Sequence, residues 1–216
     1  MSRTVTLSIS ELGEEAAATA AASVLCGGGI VVLPTETLYG ISCLALDERA
    51  VLRVAQVKGR SAEQVFSVIA ANESQLEGLC DAPRGPARKV ADAFWPGPVA
   101  ILLPAALGVP AAVRSPRGVA VRVPGSMLAR RVAALAGGPL VSTSANPTGE
   151  PPALDAGACE RYLSGRIELI LDAGPSPLGV PSTLVEPTAG GGLRVLREGA
   201  VSASELERRT GLQVTR

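Results

Sequence analysis

Two short runs carry the residue types that chemistry on a phosphate chain needs. Ser142-Thr143-Ser144-Ala145-Asn146 gathers small hydrogen-bonding side chains directly after the apolar, strand-like Pro139-Leu140-Val141. Lys58-Gly59-Arg60, far upstream, sets two cations at alternate positions, which an extended backbone would project to the same side. Fixed positive charge with neutral donors suits a nucleotide phosphate chain and the charge that develops as it reacts. Each run also has a plainer explanation. Ser, Thr and Asn cap helices and make turns, and cations at a helix end complement its dipole.

Three further segments bear on the same chemistry. Pro34-Thr35-Glu36-Thr37-Leu38-Tyr39-Gly40 places two hydroxyls and a carboxylate after an apolar run. It reads equally as a ligand loop at a strand end and as a capped strand-to-helix turn. Arg122 interrupts the apolar Val119-Ala120-Val121-Arg122-Val123. A buried, unpaired guanidinium is very costly, so an anion must face it, from a ligand or from a protein carboxylate. Arg197, after Leu193-Arg194-Val195-Leu196, reads on its own as a surface residue. The sequences G-x-x-x-x-G-K-[ST] and G-x-G-x-x-G after a strand do not occur. Gly27-Gly28-Gly29 precedes a strand and reads as a helix stop.

Composition narrows the chemistry. The 216 residues contain no histidine, which removes Ser-His and Cys-His nucleophile pairs and His-based metal sites. Lys and Arg number 20 against 20 Asp and Glu, so no net field draws nucleic acid by counterion release. One Trp, two Tyr and two Phe leave the core to Ala, Val, Leu and Ile and provide few stacking platforms. The four cysteines have no C-x-x-C spacing and read as reduced thiols, with disulfides formally open. No apolar run approaches the roughly 20 residues of a membrane span, and the first residues lack a signal core. A cytoplasmic protein is expected.

The positioning elements follow from periodicity. Ser10 is a candidate N-cap for an Ala-rich helix to Cys26, with Glu11, Glu14 and Glu15 at the positive end of its dipole. Strands are predicted over 30–33, 65–71, 99–103, 119–123, 140–143, 169–171, 183–185 and 193–196, the last two paired around a turn. Helices are predicted over 48–57, 87–94, 127–136, 158–163 and 204–209. Strands and helices alternate without a repeat or long linker. The expected fold is α/β, a single domain over residues 1–216 with a twisted, largely covered sheet.

Taken in order, these segments resemble the YrdC-like family of threonylcarbamoyl-AMP synthases. The 34–40 run resembles its opening loop, and Lys58-Gly59-Arg60 with Ser144-Ala145-Asn146 its K-x-R and S-x-N pair. Phe94-Trp95-Pro96-Gly97-Pro98, Val121-Arg122-Val123-Pro124, Pro181-Ser182-Thr183-Leu184-Val185 and Leu196-Arg197-Glu198-Gly199 also match in order, so the resemblance spans about residues 29–201. It implies a sheet wrapped around a large open cavity. It implies an enzyme, a nucleotidyltransferase acting on ATP, L-threonine and bicarbonate, with Mg²⁺ carried by the nucleotide and no metal held by the protein. Its adenylate product would feed a separate transferase complex acting on tRNA. Since the sequence ends at Arg216, the short single-domain form is expected.

By the resemblance, Thr35, Thr37, Ser142 and Ser182 hold threonine and Arg122 faces its carboxylate. Lys58, Arg60, Gln64, Ser144, Asn146 and Arg197 contact the nucleotide, with Lys58 and Arg60 catalytic. The run Ser61-Ala62-Glu63-Gln64-Val65-Phe66 departs from the family by lacking two prolines, and Ile69 stands where many members are polar. That departure keeps open a paralogue adenylating a different carbamate. An RNA-binding or ribosome-maturation factor using the same cavity is the reading from another class, and the neutral charge speaks against it.

Overall fold

The structure, a computed structural model, describes residues 3–59 and 65–216. Its strands are β1 (Val5–Ser8), β2 (Val31–Pro34), β3 (Tyr39–Ser42), β4 (Ser67–Ile69), β5 (Val99–Leu103), β6 (Val119–Arg122), β7 (Leu140–Ser144), β8 (Leu169–Asp172), β9 (Thr183–Pro187), β10 (Leu193–Arg197) and β11 (Val214–Thr215). Its helices are α1 (Ile9–Leu12), α2 (Glu14–Cys26), α3 (Glu48–Lys58), α4 (Pro86–Phe94), α5 (Met127–Leu135), α6 (Ala156–Leu163) and α7 (Ala203–Thr210). The strands form one open, mixed sheet in the order β1-β8-β2-β3-β7-β4-β6-β5-β9-β10-β11.

The alternation of side chains along each strand decides what covers the sheet. Val32, Ile41, Val68, Ile101, Val121, Val141 and Ile170 point to a face packed by α3, α4, α6 and α7. Their neighbours Val31, Leu33, Ile69, Leu140, Leu169 and Leu171 point to the other face, where the alanines of α2 and α5 pack closely. That second layer covers only one end of the sheet. Over the rest of that face, including the far ends of β4 and β7, stand Gly40, Ser67, Ala100, Arg122, Ser142 and Ser144, side chains too small or too polar to bind a helix, and a cavity opens there.

The expected elements recur with informative exceptions. The N-terminal helix is broken: Gly13, at φ +86°, ends α1 and precedes α2, and Ser8 rather than Ser10 stands at the N-cap of α1. The polar-looking N-terminus pairs in parallel with β8 as a strand at the edge of the sheet. Residues 34–40 form neither a helix entry nor a simple loop, because β3 turns back antiparallel on β2 from Tyr39 onward. The β2–β3 hairpin therefore interrupts strict strand–helix alternation, whereas β9 and β10 pair around their turn as expected. The strand predicted over 65–71 is confined to Ser67–Ile69.

All four cysteines are free, with Cys26 exposed and Cys43, Cys80 and Cys159 buried. Burial pushes each of these three thiols up to about 12. A thiol reagent should titrate one cysteine in the native protein at pH 8 and four after denaturation. Because the folded values exceed those of an unfolded thiol, this contribution to stability is intact below pH 9 and lost as pH rises toward 12. A urea midpoint that does not fall between pH 8 and pH 11 would contradict the assignment.

Candidate active site

The cavity, about 300 Å³ and open to solvent, has a floor of small side chains. Gly40 in β3 pairs with Ser144 in β7, and a Cβ at Gly40 would lie 3.1 Å from the Ser142 hydroxyl. Glycine there lets the Ser142 side chain lie across its neighbour. Ser67 pairs with Ser142 on the other flank, so β7 and β4 line the floor with hydroxyls beside the glycine of β3.

Arg122 rises from β6 into this space and is 5% exposed. Its Nη1 donates to Glu36 Oε1 at 2.6 Å and its Nη2 to Thr37 Oγ1 at 3.4 Å. The second carboxylate oxygen of Glu36 accepts from the Ser126 amide at 3.1 Å, at the start of α5. Of the two anions that could face this buried guanidinium, a ligand or a protein carboxylate, the fold supplies the second in Glu36. Burial above all, and the neighbouring Arg197 guanidinium, hold Arg122 below the ordinary arginine value while Glu36 opposes both. Thr35 Oγ1 donates to Leu38 O at 2.7 Å and lies 2.9 Å from Thr37 Oγ1, fixing the tight turn that presents both threonines to the cavity.

Arg197 does not behave as a detached surface residue. Regular alternation from Val195 would aim it at the covered face, but a register shift between Val195 and Arg197 pairs it with Leu184 and brings it to the cavity wall. Its Nη2 donates to Ser182 O at 2.9 Å and Ser182 Oγ at 3.1 Å. Thr183 underlies this corner. Its buried hydroxyl donates to Val201 O and accepts from the Gly199 and Val201 amides, using its full capacity. A Cβ at Gly199 would lie 2.2 Å from Pro181 O, so only glycine allows the two segments to meet.

Lys58 is the last residue of α3, which ends at left-handed Gly59, rather than part of an extended run. It is 2% exposed. Its ammonium donates to Ser144 O at 2.7 Å and Asn146 O at 2.5 Å, with Ser144 Oγ at 3.4 Å and Asn146 Oδ1 at 3.3 Å. The Lys58 side chain therefore sits beneath the S-x-N loop, outside the set of described residues that line the cavity. The Asn146 amide turns onto its own loop, donating to Pro147 O and Glu150 O, although the residue still lines the cavity.

The structure brings together Thr35, Thr37, Arg122, Ser142, Ser144, Asn146, Ser182 and Arg197 around one space. Arg60 and Gln64 lie outside the described residues. Sequence reasoning noted Glu36 as a carboxylate but not as the mate of Arg122. It also missed Tyr39, whose hydroxyl donates to Gly174 O and accepts from the Ala173 amide, tying the 172–181 loop to β3. Among the described residues no group of three metal-ligating side chains occurs, and no helix is long and apolar enough to cross a membrane.

Comparison with known proteins agrees with this architecture. A threonylcarbamoyl-AMP synthase of Pyrococcus abyssi is 34% identical over 209 residues, 96% of this chain and 61% of that enzyme, so the chain spans under two thirds of that relative's length. The synthase of Methylobacillus flagellatus is 38% identical over 168 residues, covering 77% of this chain and 92% of its own. A crystal structure of P. abyssi Sua5 complexed with L-threonine superposes with a TM-score of 0.88 at 33% identity, over 98% of this chain and 62% of that one. The Sua5/YciO/YrdC family model, described as telomere recombination, matches residues 23–199. With motifs, fold and cavity in agreement over that span, the chain belongs to the Sua5/YciO/YrdC family.

Proposed function

We propose that the chain catalyses ATP-dependent synthesis of threonylcarbamoyl-adenylate from L-threonine, bicarbonate and MgATP, with release of pyrophosphate. The observation that carries this reading is the charge pattern of the cavity. Two guanidiniums, Arg122, held by Glu36, and Arg197, line a space otherwise rich in hydroxyls, an arrangement suited to an anionic ligand. A cavity of about 300 Å³ lies at the lower end of the range for small-molecule sites. Relatives named threonylcarbamoyl-AMP synthase support the choice of ligands.

In this scheme threonine lies near the 35–37 turn. Arg122, oriented by Glu36, directs its remaining N–H groups at the amino-acid carboxylate, and Thr35, Thr37, Ser142 and Ser182 hydrogen-bond the rest. Arg197 and Ser144 contact the nucleotide, with Arg60, Gln64 and Asn146 assigned to it from the family pattern. The threonine amine forms a C–N bond to the bicarbonate carbon while a bicarbonate C–O bond breaks and water leaves with a proton from the amine, giving a carbamate whose oxygen is already anionic. That oxygen attacks the α-phosphorus, the bond to the β-phosphate oxygen breaks, and pyrophosphate leaves with the electron pair. No strong base is needed, which is compatible with a chain that lacks histidine. Positioning and neutralisation of charge carry the step. The adenylate would serve a separate transferase that modifies an adenosine beside the anticodon of tRNA, a cytoplasmic reaction.

One observation favours a second reading. Ile69, apolar where the family is commonly polar, lines the cavity, as a paralogue adenylating a different carbamate would allow. Pyrophosphate release by purified protein, with threonine and bicarbonate each added or omitted, separates the two. Release that requires both supports the first reading, whereas release with another amine but not with threonine supports the second.

A further inference from the structure

The geometry points to Lys58 as a positioning residue that sets the shape of the nucleotide site through the S-x-N loop, rather than as a cation that touches the phosphates. The inference rests on the nucleotide-binding reading above. Its basis is that both ends of Lys58 hold the same loop. The ammonium lies within 2.5–3.4 Å of four oxygens of Ser144 and Asn146. The main-chain carbonyl of Lys58 accepts from the Thr148 amide at 3.0 Å and the Thr148 hydroxyl at 2.9 Å.

The C-terminus of α3 is thereby clamped to residues 144–148, more than eighty positions away in sequence. An ammonium has three protons to donate. Two are directed at main-chain carbonyls at short range, in a side chain 2% exposed. Charge-assisted bonds of this kind are strong and hold a backbone in one conformation. The loop so held presents Ser144 and Asn146 to the cavity. What the motif's lysine supplies here is a compact, buried anchor for its S-x-N partner, and the length and tetrahedral shape of the side chain matter as much as its charge.

The test uses the full chain and measures equilibrium binding of AMP and of ATP. Lys58→Arg keeps the charge, but its planar fork cannot converge on four oxygens in so small a space. It should bind ATP at least about tenfold more weakly than wild type. Thr148→Val loosens the same loop without altering any charge and should weaken AMP and ATP equally, by about fivefold. If Lys58→Arg keeps ATP affinity within about twofold of wild type, charge alone is required and the inference is overturned. It is equally overturned if Thr148→Val leaves both affinities unchanged. Should Lys58→Arg fail to fold, Thr148→Val decides alone. A merely structural clamp would lower the unfolding midpoint of Thr148→Val without moving the affinities of the folded protein. If wild type binds neither nucleotide, the nucleotide-binding reading itself falls and this inference with it, an outcome distinct from the other two.

Discussion

Glu36→Leu should destabilise the protein by about 3–5 kcal/mol, toward the lower end because the Glu36 side chain is 18% exposed. The substitution leaves the Arg122 guanidinium, 6% exposed as a side chain, without its 2.6 Å partner. It also removes the acceptor for the Ser126 amide that opens α5. A buried ion pair adds little net stability when intact, because desolvation offsets the attraction, but breaking it strands a charge. The double variant Glu36→Leu/Arg122→Met should therefore recover most of the loss. Urea unfolding of the single and double variants measures both effects. A single-variant loss below about 1 kcal/mol, within the range of an exposed pair, would mean that solvent reaches Arg122 and that the pairing with Glu36 is incidental.

Arg122→Lys should lower kcat/KM for threonine by roughly 30–150-fold, corresponding to about 2–3 kcal/mol for lost charged hydrogen bonds. Lysine can keep the ion pair with Glu36, so the fold should survive. It cannot serve Glu36, Thr37 and a substrate carboxylate together, because a single ammonium lacks the planar fork of arginine. The KM for ATP should stay within about threefold, since the residues proposed to contact the nucleotide, Ser144 and Arg197, stand on β7 and β10 rather than on β6. Wild-type threonine KM and turnover in this variant would remove Arg122 from amino-acid recognition and return it to a structural role with Glu36.

Much of this fold was legible because its strands are apolar on both sides. The run 30–33 reads as a covered strand, and β2 is buried along its whole length. Helices 48–57 and 127–136 read clearly because their apolar stripes recur at helical spacing, and α3 and α5 match them within a residue or so. The edge strand β1 was not legible: two of its four residues are exposed and its pairing with β8 joins segments more than 160 positions apart. Nor was the β2–β3 hairpin, because Thr35-Glu36-Thr37 looks like a helix cap unless the Thr35 hydroxyl is known to close the turn on Leu38.

The candidate site shows the same division. A cation that interrupts the apolar Val119-Ala120-Val121-Arg122-Val123 announces that an anion must be near, and sequence reasoning located that demand. Which anion answers it depends on a contact across 86 positions, and only the folded chain identifies Glu36. Arg197 was hidden for a different reason. Its face follows from the register shift between Val195 and Arg197, which no alternation rule anticipates. Lys58-Gly59-Arg60 looked like two equivalent cations. The left-handed Gly59 ends α3 at Lys58, whose side chain folds back beneath β7.

The most direct test of the proposed reaction follows the carbon of bicarbonate. Purified protein supplied with ¹³C-bicarbonate, L-threonine and MgATP should yield a nucleotide product that carries the label and the mass of threonine. Omission of threonine should abolish it, and pyrophosphate should appear in equal amount. Turnover of ATP with no label in any nucleotide product, in the presence of threonine, would contradict carbamate adenylation as the reaction of this cavity.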